Sequence, residues 1–400
     1  HLLFKAKLCY CSSRIAAARL SGSSGSIRRP ASPTTSGSAP RFDTITGTPA
    51  AIQSQAAYTI TASNSAGSAQ TQVQIAVTAR GSWVSQAPLP SGRHYFPLAR
   101  LSSGKVMAIG GYSGAGPTDS VVTYDPANNS WTAAAPLLSA RADASATVLQ
   151  DGRVLVIGGD AAGRVTLASA ELYDPATNTW QAAGSMVQAR TRHTATLLPN
   201  GKVLVIGGYN QTPSLSFSQT AELYDPAGNS WTTLMTQLSS ARGQHAAELL
   251  PGGSEVVVIG GVNQNGFVTS AERFPVGDTG STTPVPGPVP PGNVYISARL
   301  ADGSVLAVAD GSTTALRFVP ATSSWTTSVF SSTRTLPTLT TLADGRVLMA
   351  GGVGGGGVRL NPAEISNPDA NAWTTAASMA TGRGAASAVL LNDGAVLAAK

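Results

Sequence analysis

The sequence has little of what most chemistry needs. Cysteine occurs only as Cys9 and Cys11, so residues 12–400 carry no thiol. That excludes a disulfide framework, a cysteine-ligated metal and a thiol nucleophile from nearly the whole chain. Histidine is confined to His1, His94, His193 and His245. No run of 18 apolar residues occurs, so no transmembrane helix is expected, and no Gly-x-Ser-x-Gly elbow stands out. Acid is absent from one region: residues 1–42 hold seven basic residues, from Lys5 to Arg41, and no Asp or Glu. The formal charge of +6 therefore belongs to that leader, and the rest of the chain is close to neutral. A basic footprint for nucleic acid would sit on a folded face, so no nucleic-acid partner is expected.

Glycine is abundant, with 43 residues. The stretch "GRVLVIGGDAAG" at residues 152–163 has the look of a strand followed by a phosphate-cradling turn. Such a turn should open a helix within a βαβ unit. Here β-branched residues follow, then Asp174-Pro175 and Trp180, which is turn and strand chemistry. The stretch is also repeated, at Gly104, Gly201, Glu255 and Gly345, with a weaker copy at Gly303. Trp83, Trp131, Trp180, Trp231, Trp325 and Trp373 keep a beat of about 49 residues, with one missing near residue 280. An arginine follows each by 9 to 11 residues. Each period reads as four short strands bounded by Gly, Pro, Asn and Asp. One small sheet cannot bury both faces alone, so the copies must stack, as blades around an axis.

The Gly-Gly pair, Tyr-Asp-Pro and Trp, with Arg-x-x-His at Arg190 and Arg242, resemble the kelch repeat over roughly residues 81–400. The resemblance implies an all-β, kelch-type β-propeller. Ring closure would pair the strand at Trp83 with the strand after Gly394, giving seven four-stranded blades. The last lacks its third strand, so the chain reads as a fragment ending inside it. The fourth unit has Phe274-Pro275 for Tyr-Asp-Pro, and "TTPVPGPVPPGN" replaces its last strand; the fifth has Asp310-Gly311 and Phe318. Residues 43–80 alternate as a hairpin around "NSAG" and resemble half of a bacterial immunoglobulin-like domain. Residues 1–42 read as a disordered or non-native leader. The Ser-, Thr-, Asn- and Gln-rich composition beside an Ig-like neighbour leans towards an extracellular or cell-surface place.

Candidate site residues fall in two groups. Arg141, Arg190, Arg242, Arg334 and Arg383, with His193 and His245, stand at the start of first strands and could ring the channel mouth as an anion site; the structural alternative is a hydrogen bond to a carbonyl or carboxylate. Asp143, Asp160 and Asp310 are possible paired acids, whereas Asp151, Asp302, Asp344 and Asp393 precede turn glycines and read as turn formers. The loops after the glycine pairs vary most, and variable loops on a rigid scaffold carry binding. Tyr112, Arg164, Tyr209, Asn210, Phe217, Asn263, Asn265 and Phe267 are the candidate contacts. No metal and no cofactor are expected. The resemblance includes copper oxidases of the galactose oxidase type, but their cofactor needs a tyrosine bonded to a cysteine, which the repeats lack. The leading reading is a non-catalytic protein that recognises a protein or a glycan. The alternative is a sugar-acting enzyme, of epimerase or oxidase type. A base, an arginine and a carboxylate gathered at the mouth would favour the enzyme; an aromatic and amide surface would favour binding.

Overall fold

The computed structural model describes residues 81–400, apart from Thr279 and Pro368, and the backbone of strand residues 2–5, 25–26, 46–47, 53–64 and 67–77. Two compact units are present: residues 1–5 with 82–400, and residues 6–81. In the second, strands Gln53–Asn64 and Gly67–Val77 pair antiparallel from Asn64 opposite Gly67. The expected hairpin is therefore present. The leader lies outside the described residues except for Leu2–Lys5 and Gly25–Ser26.

The larger unit is a ring of four-stranded antiparallel sheets. Six of them, blades 1 to 6, use one contiguous stretch each, at residues 98–133, 145–185, 194–233, 246–285, 295–329 and 338–376. Within a blade the strands follow one another outward from the axis. In blade 2 the order is Ser145–Val148, Val154–Ile157, Ser169–Asp174 and Thr179–Ser185. A further sheet, blade 7, joins Ser387–Leu390, Ala395–Ala399, Leu2–Lys5 and Ser82–Ser85. This corrects two expectations. The Trp83 strand shares a sheet with Ala395–Ala399 but does not pair with it, because Leu2–Lys5 lies between them and takes the place of the missing third strand. Closure is reinforced where Trp83 Nε1 donates to Ala377 O at 2.8 Å.

The second strands, such as Val154–Ile157 and Val203–Ile206, are buried at every residue. Their side chains meet neighbouring blades on both faces, so they read as unbroken apolar runs rather than alternating ones. Between blades 1 and 2, Met107 and Ile109 pack with Val154, Val156, Tyr173 and Trp180. The aspartates of the turns behave as expected. Asp174 Oδ1 accepts the N–H of Ala176 at 2.8 Å, and Asp151 Oδ1 that of Arg153 at 3.0 Å.

Each tryptophan also stitches its blade to the preceding segment. Trp131 donates to Ala87 O, Trp180 to Ala135 O and Trp231 to Ala183 O, at 2.9–3.0 Å. Trp325 is the exception: its Nε1 is buried without a partner. Blade 4 precedes it, and the outer strand there is cut to Thr283–Val285. That strand is shortened rather than lost, contrary to the sequence expectation. Trp180→Phe is therefore expected to cost about 1 kcal/mol, a typical net hydrogen bond. Trp325→Phe should cost less, since it deletes a donor that bonds nothing. Urea unfolding midpoints of the two variants check this.

Candidate functional site

The meander sets which residues meet at one end of the ring. Connections between strands 2 and 3, and those leading from strand 4 to the next first strand, share one end; the other turns share the opposite end. The repeat arginines lie at the first end, and the structure corrects their expected role. Arg141, Arg190, Arg242 and Arg334 are buried inside their own blades. Each pairs with a glutamate on the third strand: Glu171 at 2.5 Å, Glu222 at 2.9 Å, Glu272 at 2.7 Å and Glu364 at 2.6 Å. Each also donates to the carbonyl of the first glycine of the pair, as Arg190 does to Gly207 at 2.8 Å. Burial pushes their pKa values down and the glutamate opposes that. Arg383 holds the same backbone place in blade 7, where its carbonyl accepts Gly352 N–H. The four buried arginines are clamps, not an anion ring.

The histidines are clamps as well. His193 Nε2 meets Ser145 Oγ at 2.8 Å and His245 Nε2 meets Thr194 Oγ1 at 3.0 Å, each reaching into the preceding blade. Burial, then the adjacent arginine, lowers each pKa from 6.5 to about 3. The unfolded chain takes up these protons near pH 6.5 and the folded chain only near pH 3. Their contribution to stability is thus full above about pH 6.5 and lost as pH falls through this window. Replacing both with Gln should flatten the loss of melting temperature between pH 7 and pH 4.

The mouth is built by a different position. The residue two places after each repeat arginine is Tyr95, Asp143, Arg192, Gln244, Leu336 or Ala385, with φ between +49° and +57°. Such values are uncommon without glycine and are held only where the surroundings enforce them. Here a belt of backbone hydrogen bonds does so. Asp143 N–H donates to Tyr95 O at 3.0 Å, Gln244 to Arg192 O at 3.0 Å, and Ala385 to Leu336 O at 3.2 Å. Blade 5 has no such residue. Asp310 fills the gap, its Oδ1 accepting Leu336 N–H at 2.8 Å.

The belt side chains differ from blade to blade and converge. Arg192 Nη2 pairs with Asp143 Oδ2 at 3.2 Å, and its guanidinium lies 4.8 Å over the Tyr95 ring. Burial raises the Asp143 carboxyl to about 6 despite Arg192, with Asp160 pushing the same way. Asp160 accepts from Thr191 Oγ1, Thr166 Oγ1 and Gln211 Nε2 at 2.9–3.1 Å. Burial raises its pKa and that of Asp310, and the Arg192 charge opposes both. Two of the three acids named from the sequence thus flank Arg192 from blade 2, and the third does so from blade 5.

The loops after the glycine pairs stand around this belt. Tyr112, Asp160, Tyr209 and Val262 each bridge back to the segment that starts their own blade. Tyr112 stacks on His94 at 5.7 Å, and Tyr209 packs on Phe217 at 5.4 Å across a two-stranded loop. Arg164, Asn265 and Phe267 are exposed at loop tips. Two expected contacts are spent on the loops themselves. Asn210 Oδ1 accepts Thr212 N–H, and Asn263 accepts Asn265 N–H while donating to Ser240 Oγ. The structure adds Tyr95, Arg192 and Gln244, which the sequence reading did not single out. The available signal was a fixed offset from the repeat arginine combined with changing residue type.

Two shallow clefts, of ≈ 370 and ≈ 440 Å³, lie among turns at the opposite end, lined by residues including Ser102, Asn178 and Asp151. Their polar groups are turn formers, so they do not compete with the belt as a site.

Residues 98–309 match the family model described as the KLHDC2/KLHL20/DRC7 Kelch-repeats domain. The chain belongs to the Kelch-repeat family. No curated protein matches it. Among solved structures, this Kelch propeller is similar to a fungal alcohol oxidase of the AA5 family in complex with copper. That likeness has 16% identity and a TM-score of 0.62, covering 80% of this chain and 72% of the other. It is also similar to YjhT, with 17% identity and a TM-score of 0.55, over 73% of this chain and 99% of that one. At these identities the likeness shows the fold alone. The Kelch residues do not fit a copper centre. The two buried histidines engage hydroxyls through Nε2, and among the described residues no group of three His, Cys, Asp or Glu is placed to hold a metal ion. Nor, among them, is any helix long and apolar enough to cross a membrane.

Proposed function

We propose that this Kelch propeller is a binding protein that recognises a partner protein with the belt end of the ring. One observation carries the reading. Nine large hydrophobic residues are exposed among the described residues, and seven of them stand in connections at that end. Val165, Leu215, Phe267 and Val358 tip the loops between second and third strands. Leu138 and Val187 precede repeat arginines by three residues. Met235 follows an outermost strand in a connection of the same kind; the other two, Val84 and Val329, lie on outermost strands, and among the described residues the turns of the opposite end hold none. Exposed apolar side chains concentrated at one end of a molecule support an interaction surface there. The test is a screen of the whole chain on protein and glycan arrays, followed by Leu215→Ala and Phe267→Ala. Each truncation is expected to weaken a protein hit by about tenfold or more, as anchors do. Hits untouched by both variants would place recognition elsewhere.

A second reading has its own support. Asp143, Arg192 and Asp160 put an ionisable carboxyl, a guanidinium and a second carboxylate in one mouth. A carboxyl titrating near pH 6 is matched to acid–base chemistry on a sugar. Turnover of a sugar, lost in Asp143→Asn with folding intact, would establish the enzyme instead. A place outside the cell belongs with the binding reading and is tested by fractionating the producing cells.

A further inference from the structure

The acidic and aromatic groups at the belt narrow the partner's chemistry, if the binding reading of this end holds. Asp143 pairs with Arg192 at 3.2 Å, and the charges of Asp160, buried beneath three donors, and of Asp310 bear on the same guanidinium from further off. Three carboxylates around one cation leave this sector of the mouth short of positive charge. Aromatic faces stand beside them. Tyr95 already covers Arg192 at 4.8 Å. Tyr209 and Tyr112 lie within the fields of Asp143 and Asp160 as well as that of Arg192. Carboxylates beside aromatic rings are the chemistry that holds a guanidinium or an ammonium, by charge and by cation–π attraction together. Of the other charged groups at this end, Arg359 and Lys400 act on His94, and Arg164, exposed on its loop tip, acts on Tyr112 at the edge of the sector. Apolar residues rim the sector, since Val165 and Leu215 belong to the loops that carry Asp160 and Tyr209.

We propose that the belt end accepts one basic side chain, arginine or lysine, from an apolar stretch of a partner protein. The basic group enters between the Asp143–Asp160–Asp310 sector and the rings of Tyr95 and Tyr209. Its neighbours pack on Val165, Leu215 and Phe267. The occupant chosen is a protein rather than a sugar because the rim is apolar and the unmatched charge is negative. A neutral glycan would complement neither.

The experiment uses the full chain and immobilised ten-residue peptides with a central Arg or Lys among Leu and Phe. Matched peptides carry norleucine, citrulline or Glu at the centre. The basic peptides are expected to bind at least tenfold more tightly than the norleucine and citrulline peptides, and the preference should shrink with added salt. Asp143→Asn and Asp310→Asn should each lower that preference by about tenfold, with circular dichroism reporting folding. Asp310→Asn guards against misfolding of Asp143→Asn, because the amide oxygen keeps the acceptor for Leu336 N–H. Equal binding of basic and norleucine peptides, a preference for the Glu peptide, or no peptide binding would overturn the proposal. If the array screen still finds a protein or glycan whose binding falls in Leu215→Ala, the binding reading survives and only the basic partner is lost. If that screen is also blank, both fail.

Discussion

Glu222→Ala is expected to lower the unfolding free energy by about 3–5 kcal/mol, the cost of leaving a buried charge without its partner. Glu222 and Arg190 are both 0% exposed at the side chain, with Nη2 and Oε1 2.9 Å apart. The carboxylate also accepts the N–H groups of Val187 at 2.6 Å and Gln188 at 3.2 Å. Removing it orphans two backbone donors as well as the guanidinium. Glu222→Gln keeps one acceptor oxygen but sets an NH2 where the other oxygen took a donor, so it should cost less than Glu222→Ala while still being destabilising. The molecule contains its own control. In blade 1 the equivalent of Glu222 is Val122, and Arg93 turns instead to Ser91 Oγ at 2.8 Å and Ser120 Oγ at 3.0 Å. Blade 5 lacks both the arginine and the glutamate, with Leu316 at the latter's place. Denaturant unfolding followed by tryptophan fluorescence checks the ranking of Glu222→Ala below Glu222→Gln below wild type.

Gly158→Ala is expected to be destabilising by about 2–5 kcal/mol, from a left-handed backbone and a backbone clash together. Gly158 has φ +59°, and a Cβ there would stand 2.3 Å from Arg190 O. That carbonyl accepts Gly159 N–H at 2.9 Å, so it cannot retreat without breaking the bond that joins blade 2 to the start of blade 3. This explains why the glycine pair recurs: it lets two blades approach backbone to backbone, and no phosphate is involved. Gly163, in the loop, also has positive φ but meets nothing within 4 Å. Gly163→Ala should therefore cost only the backbone part, and a comparison of melting temperatures separates the two contributions.

The period was legible because tryptophan, arginine and the glycine pair each do one geometric task that recurs in every blade. Trp donates to the preceding segment, Arg ties the first strand to the third, and glycine permits close approach. The glutamates were legible too, two residues before Tyr173, Tyr224 and Phe274, yet a lone Glu among apolar residues gives no signal until the arginine is seen facing it. Reading the arginines as a mouth followed from their regular spacing, but regularity marks structural duty. The belt residues follow the opposite logic. Their backbone is repeated while their side chains change, and a search for sameness passes over them. The strand Leu2–Lys5 was illegible because its partners lie about 80 residues and nearly 400 residues away in sequence, and it stands apart from the repeats.

The central claim is that recognition resides at the belt end and not among the opposite turns. The most direct measurement is array binding by two variants of the full chain at equal concentration. One carries Leu215→Ala, Phe267→Ala and Arg192→Ala; the other carries Lys105→Ala, Gln150→Ala and Asn392→Ala at the opposite end. The account predicts that the first loses the wild-type hits while the second keeps them. Loss in the second with retention in the first, or no hit for the wild type on either array, would contradict it.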